Sequence, residues 1–64
     1  DLDGALKYLR KAWSKFQDPE IGSHLTQVYW ELGQQDAARK TLREALANAP
    51  DDDRLLKLKK ELSP

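Results

Sequence analysis

The side chains best suited to chemistry in this sequence are few and far apart. The only histidine, His24, follows Glu20 by one helical turn, a spacing at which two side chains can contact one metal ion. Two ligands without a cysteine or a second histidine make a poor metal site. His24 should also lie about 100° from the centre of its helix's apolar stripe. We therefore expect a half-exposed residue and no bound metal.

The acidic run Asp51-Asp52-Asp53 has two interpretations, calcium binding or helix capping. It lacks the glycine and the terminal glutamate of a calcium-binding loop, so capping of a following helix explains it better. The serines have no histidine positioned to activate them, and there is no glycine-rich phosphate loop. The sequence therefore predicts no catalytic residue, no cofactor and no enzymatic activity.

The charge balance argues against nucleic acid as a partner. Eleven Lys and Arg residues offset eleven Asp and Glu residues among 64, which gives zero formal charge. Without a cationic excess there is no general attraction to phosphate backbones. The basic residues Lys7, Arg10, Lys11 and Lys15 are therefore interpreted as a solvated helix face.

Compartment is not decided by composition. The apolar runs are far shorter than the roughly 20 residues that span a bilayer, so we expect no direct membrane insertion. Cysteine is absent, which fits a reducing or an oxidising compartment. The chain begins at Asp1 and contains no methionine, so we expect it to be a piece of a longer protein.

An internal repeat organises the chain. Residues 1–17 align with residues 34–50 at a constant offset of 33, with six identities. The identical pairs are Asp3 with Asp36, Ala5 with Ala38, Lys7 with Lys40, Leu9 with Leu42, Arg10 with Arg43 and Ala12 with Ala45. The Ala-Leu-Ala subset recurs at helical spacing, which indicates two copies of one amphipathic helix.

Four helices follow from periodicity and end signals, near 3–16, 19–32, 35–48 and 52–62. Asp18-Pro19 supplies an N-cap and a first-turn proline for the second helix, and Gly33 suits its left-handed end. The apolar stripes are Ile21, Leu25, Val28, Tyr29 and Leu32 in the second helix, Ala38, Leu42, Ala45 and Ala49 in the third, and Leu55, Leu58 and Leu62 in the fourth, with Leu56 at its margin. The chain should be an all-α domain of antiparallel hairpins.

Residues 19–52 resemble one tetratricopeptide repeat. The matching positions are Gly22, Leu25-Thr26, Tyr29, Ala38, Leu42, Ala45 and Pro50. Gly22 replaces the usual tryptophan, Thr26 a glycine and Leu42 an aromatic residue; the glycine should cost its helix roughly 0.5–1 kcal/mol relative to alanine. The resemblance implies a right-handed solenoid, in which 1–17 is the second helix of a preceding repeat, 19–52 a full repeat and 52–62 a C-terminal capping helix of one domain, 1–64.

The wording around Phe16-Gln17-Asp18-Pro19-Glu20-Ile21 also resembles C-terminal repeats of bacterial tetratricopeptide proteins. Some of those proteins are outer-membrane lipoproteins that act as adaptors for envelope proteases. This resemblance favours a periplasmic or outer-membrane-anchored location, and a cytoplasmic one stays open.

The resemblance implies a protein–protein interaction scaffold whose partner is a protein or peptide. Its binding surface should lie on the second helix, at Glu20, Ser23, Gln27, Trp30 and Glu31. Trp30 is either an aromatic anchor on that surface or a residue packed under a neighbouring helix. The alternative function is a structural cap that self-associates weakly through the apolar arc of residues 2–16, with binding done by upstream repeats.

Overall fold

The computed structural model describes residues 1–62 and contains four α-helices. Their bounds are α1, Leu2–Lys15; α2, Pro19–Glu31; α3, Gln35–Asn48; and α4, Asp53–Leu62. The predicted all-α fold is confirmed, and every helix end lies within one residue of its expected position. Residues 63 and 64 of the predicted domain lie outside the described residues.

The predicted end signals operate as expected. The Asp18 carboxylate accepts a hydrogen bond of 2.8 Å from the Glu20 backbone N–H, and Pro19 opens α2. Gly33 adopts a φ of 81°, the left-handed conformation that ends α2 without a side-chain clash. Within the acidic run, Asp52 caps α4, because its carboxylate accepts a hydrogen bond of 3.1 Å from the backbone N–H of Leu55.

Helix α2 is the centre of the molecule because it packs against all three other helices. Helix α3 also packs against α4, whereas no Cα atom of α1 lies within 8 Å of a Cα atom of α3 in residues 1–62. The core consists of the buried side chains Trp13, Leu25, Ala38, Leu42, Ala45, Leu55 and Leu58. The predicted stripes of α3 and α4 are thus confirmed, with Ala49 and Leu62 half-buried and Leu56 exposed.

The closest packing occurs at Gly22, where three helices meet. A Cβ atom added to Gly22 would lie 2.9 Å from the Ala45 Cβ and 2.9 Å from Cζ3 of the Trp13 ring. No side chain fits there without displacing α1 or α3. The sequence had indicated only a propensity cost at Gly22; the structure shows that the missing side chain makes room for the indole that α1 supplies.

We predict that Gly22→Ala destabilises the protein by about 1–2 kcal/mol in urea unfolding followed by circular dichroism. Alanine should gain roughly 0.5–1 kcal/mol of helix propensity, but the overpacking against Trp13 and Ala45 should cost about 1–3 kcal/mol.

Gly4→Ala is the matched control. A Cβ at Gly4 would approach only the Asp1 side chain, whose carboxylate is a flexible end that can rotate away. This variant should be neutral or more stable by up to roughly 1 kcal/mol. Equal gains in both variants would show that the contact at Gly22 is not tight.

Candidate partner-binding surface

Helices α2 and α4 enclose a groove of about 310 Å³, here named the α2–α4 groove. Its lining residues are Ser23, His24 and Gln27 from α2 and Arg54, Lys57, Leu58 and Glu61 from α4. The groove therefore collects side chains from two helices that are separated in the sequence by all of α3. An apolar and hydroxyl floor beneath a charged rim is a surface on which a peptide segment can dock.

Two buried residues form the floor of this groove. Leu58 belongs to the core, and Ser23 is 3% exposed. The Ser23 hydroxyl donates a hydrogen bond of 2.9 Å to the Glu20 carbonyl. Ser23 thus differs from the expectation that placed it on an exposed polar surface. It lies on the flank of α2 that faces α4, so the neighbouring helix removes it from solvent.

Exposed polar residues form the rim. His24 and Gln27 lie on the α2 side, and His24 is exposed where the sequence suggested half-exposure. On the α4 side, the Arg54 guanidinium lies 3.7 Å from the Glu20 carboxylate and 3.8 Å from that of Asp52. An ion pair this exposed contributes little stability, but it links the N-terminal ends of α2 and α4 at one end of the groove.

Trp30 and Glu31 lie towards the C-terminal end of α2, outside the groove lining. Glu31 is exposed. Trp30 is half-buried, and the guanidinium carbon of Arg39 lies 5.4 Å from its ring centroid, within the range of a cation–π contact. The ring therefore packs partly against α3 and keeps part of its surface in solvent.

Of the five residues predicted for binding, the groove brings together Ser23 and Gln27, and Glu20 joins them through Arg54. Arg54, Lys57 and Glu61 line the same groove and were not predicted from the sequence. The 33-residue repeat gave no signal for them, because its extension into α4 pairs Glu20, Ser23 and Gln27 with Asp53, Leu56 and Lys60.

Among residues 1–62, no group of three His, Asp or Glu side chains is placed to hold a metal ion. No helix in that range combines the length and the apolar character needed to cross a membrane.

Stacked antiparallel helices with a groove between α2 and α4 define a helical-repeat scaffold. The profile of the tetratricopeptide repeat matches residues 1–62, so the chain belongs to the tetratricopeptide repeat family. Repeats of this family form non-enzymatic scaffolds and generally mediate protein–protein interactions. No match to the chain was found among curated proteins or among solved structures.

The two tryptophans should respond differently to truncation. Trp30→Ala should lower the free energy of unfolding by less than about 1.5 kcal/mol, because the ring is only half-buried and its contact with Arg39 is partly solvated. Trp13→Ala removes an indole that is 8% exposed and should cost roughly 3–5 kcal/mol, enough to unfold a domain of this size. Chemical denaturation of both variants tests this, and similar losses would place Trp30 in the core.

Proposed function

We propose that this chain binds a segment of a protein partner in the α2–α4 groove. The observation that carries the proposal is the convergence of rim side chains from α2 and α4 over a floor of Ser23 and Leu58. Each helix alone supplies one side of the groove, whereas the pair forms a concave surface. Preformed concavity lowers the ordering cost of binding.

The charges of the rim define the kind of partner. Arg54 is engaged by Glu20 and Asp52, and within residues 1–62 Lys57 and Glu61 form no ion pair. The groove therefore offers a partner one cation and one anion beside the amide of Gln27. A peptide of mixed charge complements this rim better than an acidic tail, because α2 contributes no cation to it.

The finer identity of the chain belongs to the same proposal. The assignment of 1–17, 19–52 and 52–62 to a preceding second helix, a full repeat and a cap rests on the 33-residue repeat and the family pattern. The interpretation of the chain as part of a bacterial adaptor rests only on the local sequence around Asp18-Pro19. Trp30 and Glu31 are proposed as an extension of the binding surface beyond the groove.

Peptides selected from a random display library against the chain should test this site. We predict that Lys57→Glu lowers the affinity for the selected peptides about 10-fold or more, because it replaces the unpaired cation of the rim with an anion. Affinities would be measured by isothermal titration calorimetry.

Arg43→Glu is the control, with the same charge change at an exposed position of α3 outside the groove. It should leave the affinity within about 2-fold. Loss of binding in the control, with Lys57→Glu unaffected, would exclude the α2–α4 groove as the binding site.

A second candidate function is weak self-association, and one observation favours it. At the repeat offset of 33, Ala5, Tyr8 and Ala12 of α1 correspond to Ala38, Thr41 and Ala45 of α3, which are buried against α2. Of the α1 copies of these positions, Ala5 and Ala12 are only half-buried and Tyr8 is exposed. Tyr8 is 71% exposed on that face, and Phe16, just beyond the end of α1, is 66% exposed. Exposed apolar surface of this kind favours association.

We predict a monomer–dimer equilibrium in sedimentation experiments at roughly millimolar concentration, as expected for a small interface. Replacing Tyr8 and Phe16 together with lysine should abolish it, and Lys11→Gln should leave it unchanged. A strict monomer whose α1 amides are fully protected from hydrogen exchange would rule out this function.

A further inference from the structure

A second groove lies on the other face of α2. It measures about 280 Å³ and is here named the α1–α3 groove. Helices α1 and α3 both pack on α2, and their backbones stay more than 8 Å apart between Cα atoms in the described chain, so side chains of α2 form the base of the gap. At about 100° per residue, Leu25 and Tyr29 in this groove lie roughly opposite Gln27 in the α2–α4 groove.

The floor of the α1–α3 groove is apolar and aromatic. Leu25 and Trp13 are buried, and Tyr29 is half-buried beside them. The volume lies just below the range of about 300–1,000 Å³ typical of whole small-molecule sites. The groove can therefore hold one large side chain of a bound peptide. Aromatic floors of this type favour an aromatic or branched apolar occupant.

The rim carries a positive balance. Arg10 stands on the α1 wall, and Lys40 and Glu44 stand on the α3 wall, all three exposed. Within residues 1–62 none of them forms an ion pair. Two cations from opposite walls against one anion leave one net positive charge over an apolar floor. An anionic group attached to an apolar body complements this arrangement.

We propose that the α1–α3 groove is a second binding site, which takes a peptide segment with an acidic residue beside a bulky apolar residue. The apolar side chain would lie on Trp13, Leu25 and Tyr29, and the carboxylate would lie between Arg10 and Lys40. A phosphate backbone is a poorer occupant, because Glu44 would repel it and the floor would contribute nothing. This site is independent of the one proposed in the α2–α4 groove.

The test is an NMR titration of the ¹⁵N-labelled chain with acetyl-Glu-Phe-amide, with acetyl-Gln-Phe-amide as the neutral control. The two indole N–H signals are internal reporters, because Trp13 lies in the groove floor and Trp30 does not. We expect saturable shifts at Trp13 and Thr41, with Trp30, His24 and Gln27 unaffected. The neutral peptide should bind about 2–5-fold more weakly, and added salt should narrow that difference.

Charge variants give the decisive comparison. Lys40→Gln and Arg10→Gln should each lower the affinity for acetyl-Glu-Phe-amide about 2–5-fold, and Glu44→Gln should raise it by a similar factor. Arg43→Gln, outside the groove, should have no effect. All four positions are exposed, so the variants should fold.

Four results would overturn the proposal. One is the absence of any shift at Trp13, and another is equal binding of the charged and neutral peptides. The third is that inorganic phosphate alone matches the peptide, which would leave no role for the aromatic floor. Shifts confined to His24 and Gln27 would also overturn it while supporting the site in the α2–α4 groove.

Discussion

The contact on which the rest of the structure depends is the meeting of Trp13, Gly22 and Ala45. The indole of α1 and the methyl group of α3 both approach the backbone of α2 at a residue that has no side chain. This contact fixes how closely α1 and α3 can pack on α2. In a chain of 64 residues, where burial is limited, close approach of backbones raises the number of dispersion contacts that each buried atom makes. The buried Thr26 hydroxyl donates a hydrogen bond of 2.8 Å to the Gly22 carbonyl, so it is not left unpaired inside this junction.

Helix α2 divides the molecule into two sides because every other helix packs against it. One flank faces the gap between α1 and α3, and the roughly opposite flank faces α4. Each pair of neighbouring helices leaves a groove above the α2 residues they do not cover. Partner binding proposed for either groove thus depends on the position of one helix. The two grooves differ in chemistry, since the α2–α4 groove has a hydroxyl and leucine in its floor and the α1–α3 groove has two aromatic rings.

The charged surface residues contribute little to the stability of the four-helix fold. The ion pairs of the described chain join Arg54 to the exposed Glu20 and to the half-buried Asp52, and solvent-screened pairs of this kind contribute little stability. Stability must come mainly from the packing of apolar stripes and from well-formed helix ends. The small size of the core explains why single substitutions at Gly22 or Trp13 should have large effects. It also explains why the uncovered face of α1 is prominent on so small a surface.

The sequence by itself determined the helices, their ends and the repeat. Periodicity of apolar residues and local signals such as Asp18-Pro19 and Gly33 act within a few residues, so they can be read without a fold. Tertiary structure decided what depends on helices meeting. Gly22 lowers the helix propensity of α2, but the structure requires a residue without a side chain there, because the Trp13 indole occupies the adjacent space. Ser23 is buried because α4 lies along its flank, and Lys57 joins Gln27 in one groove because α2 and α4 are neighbours. The environment of a side chain on a helix flank depends on the neighbouring helix, which a local pattern does not specify.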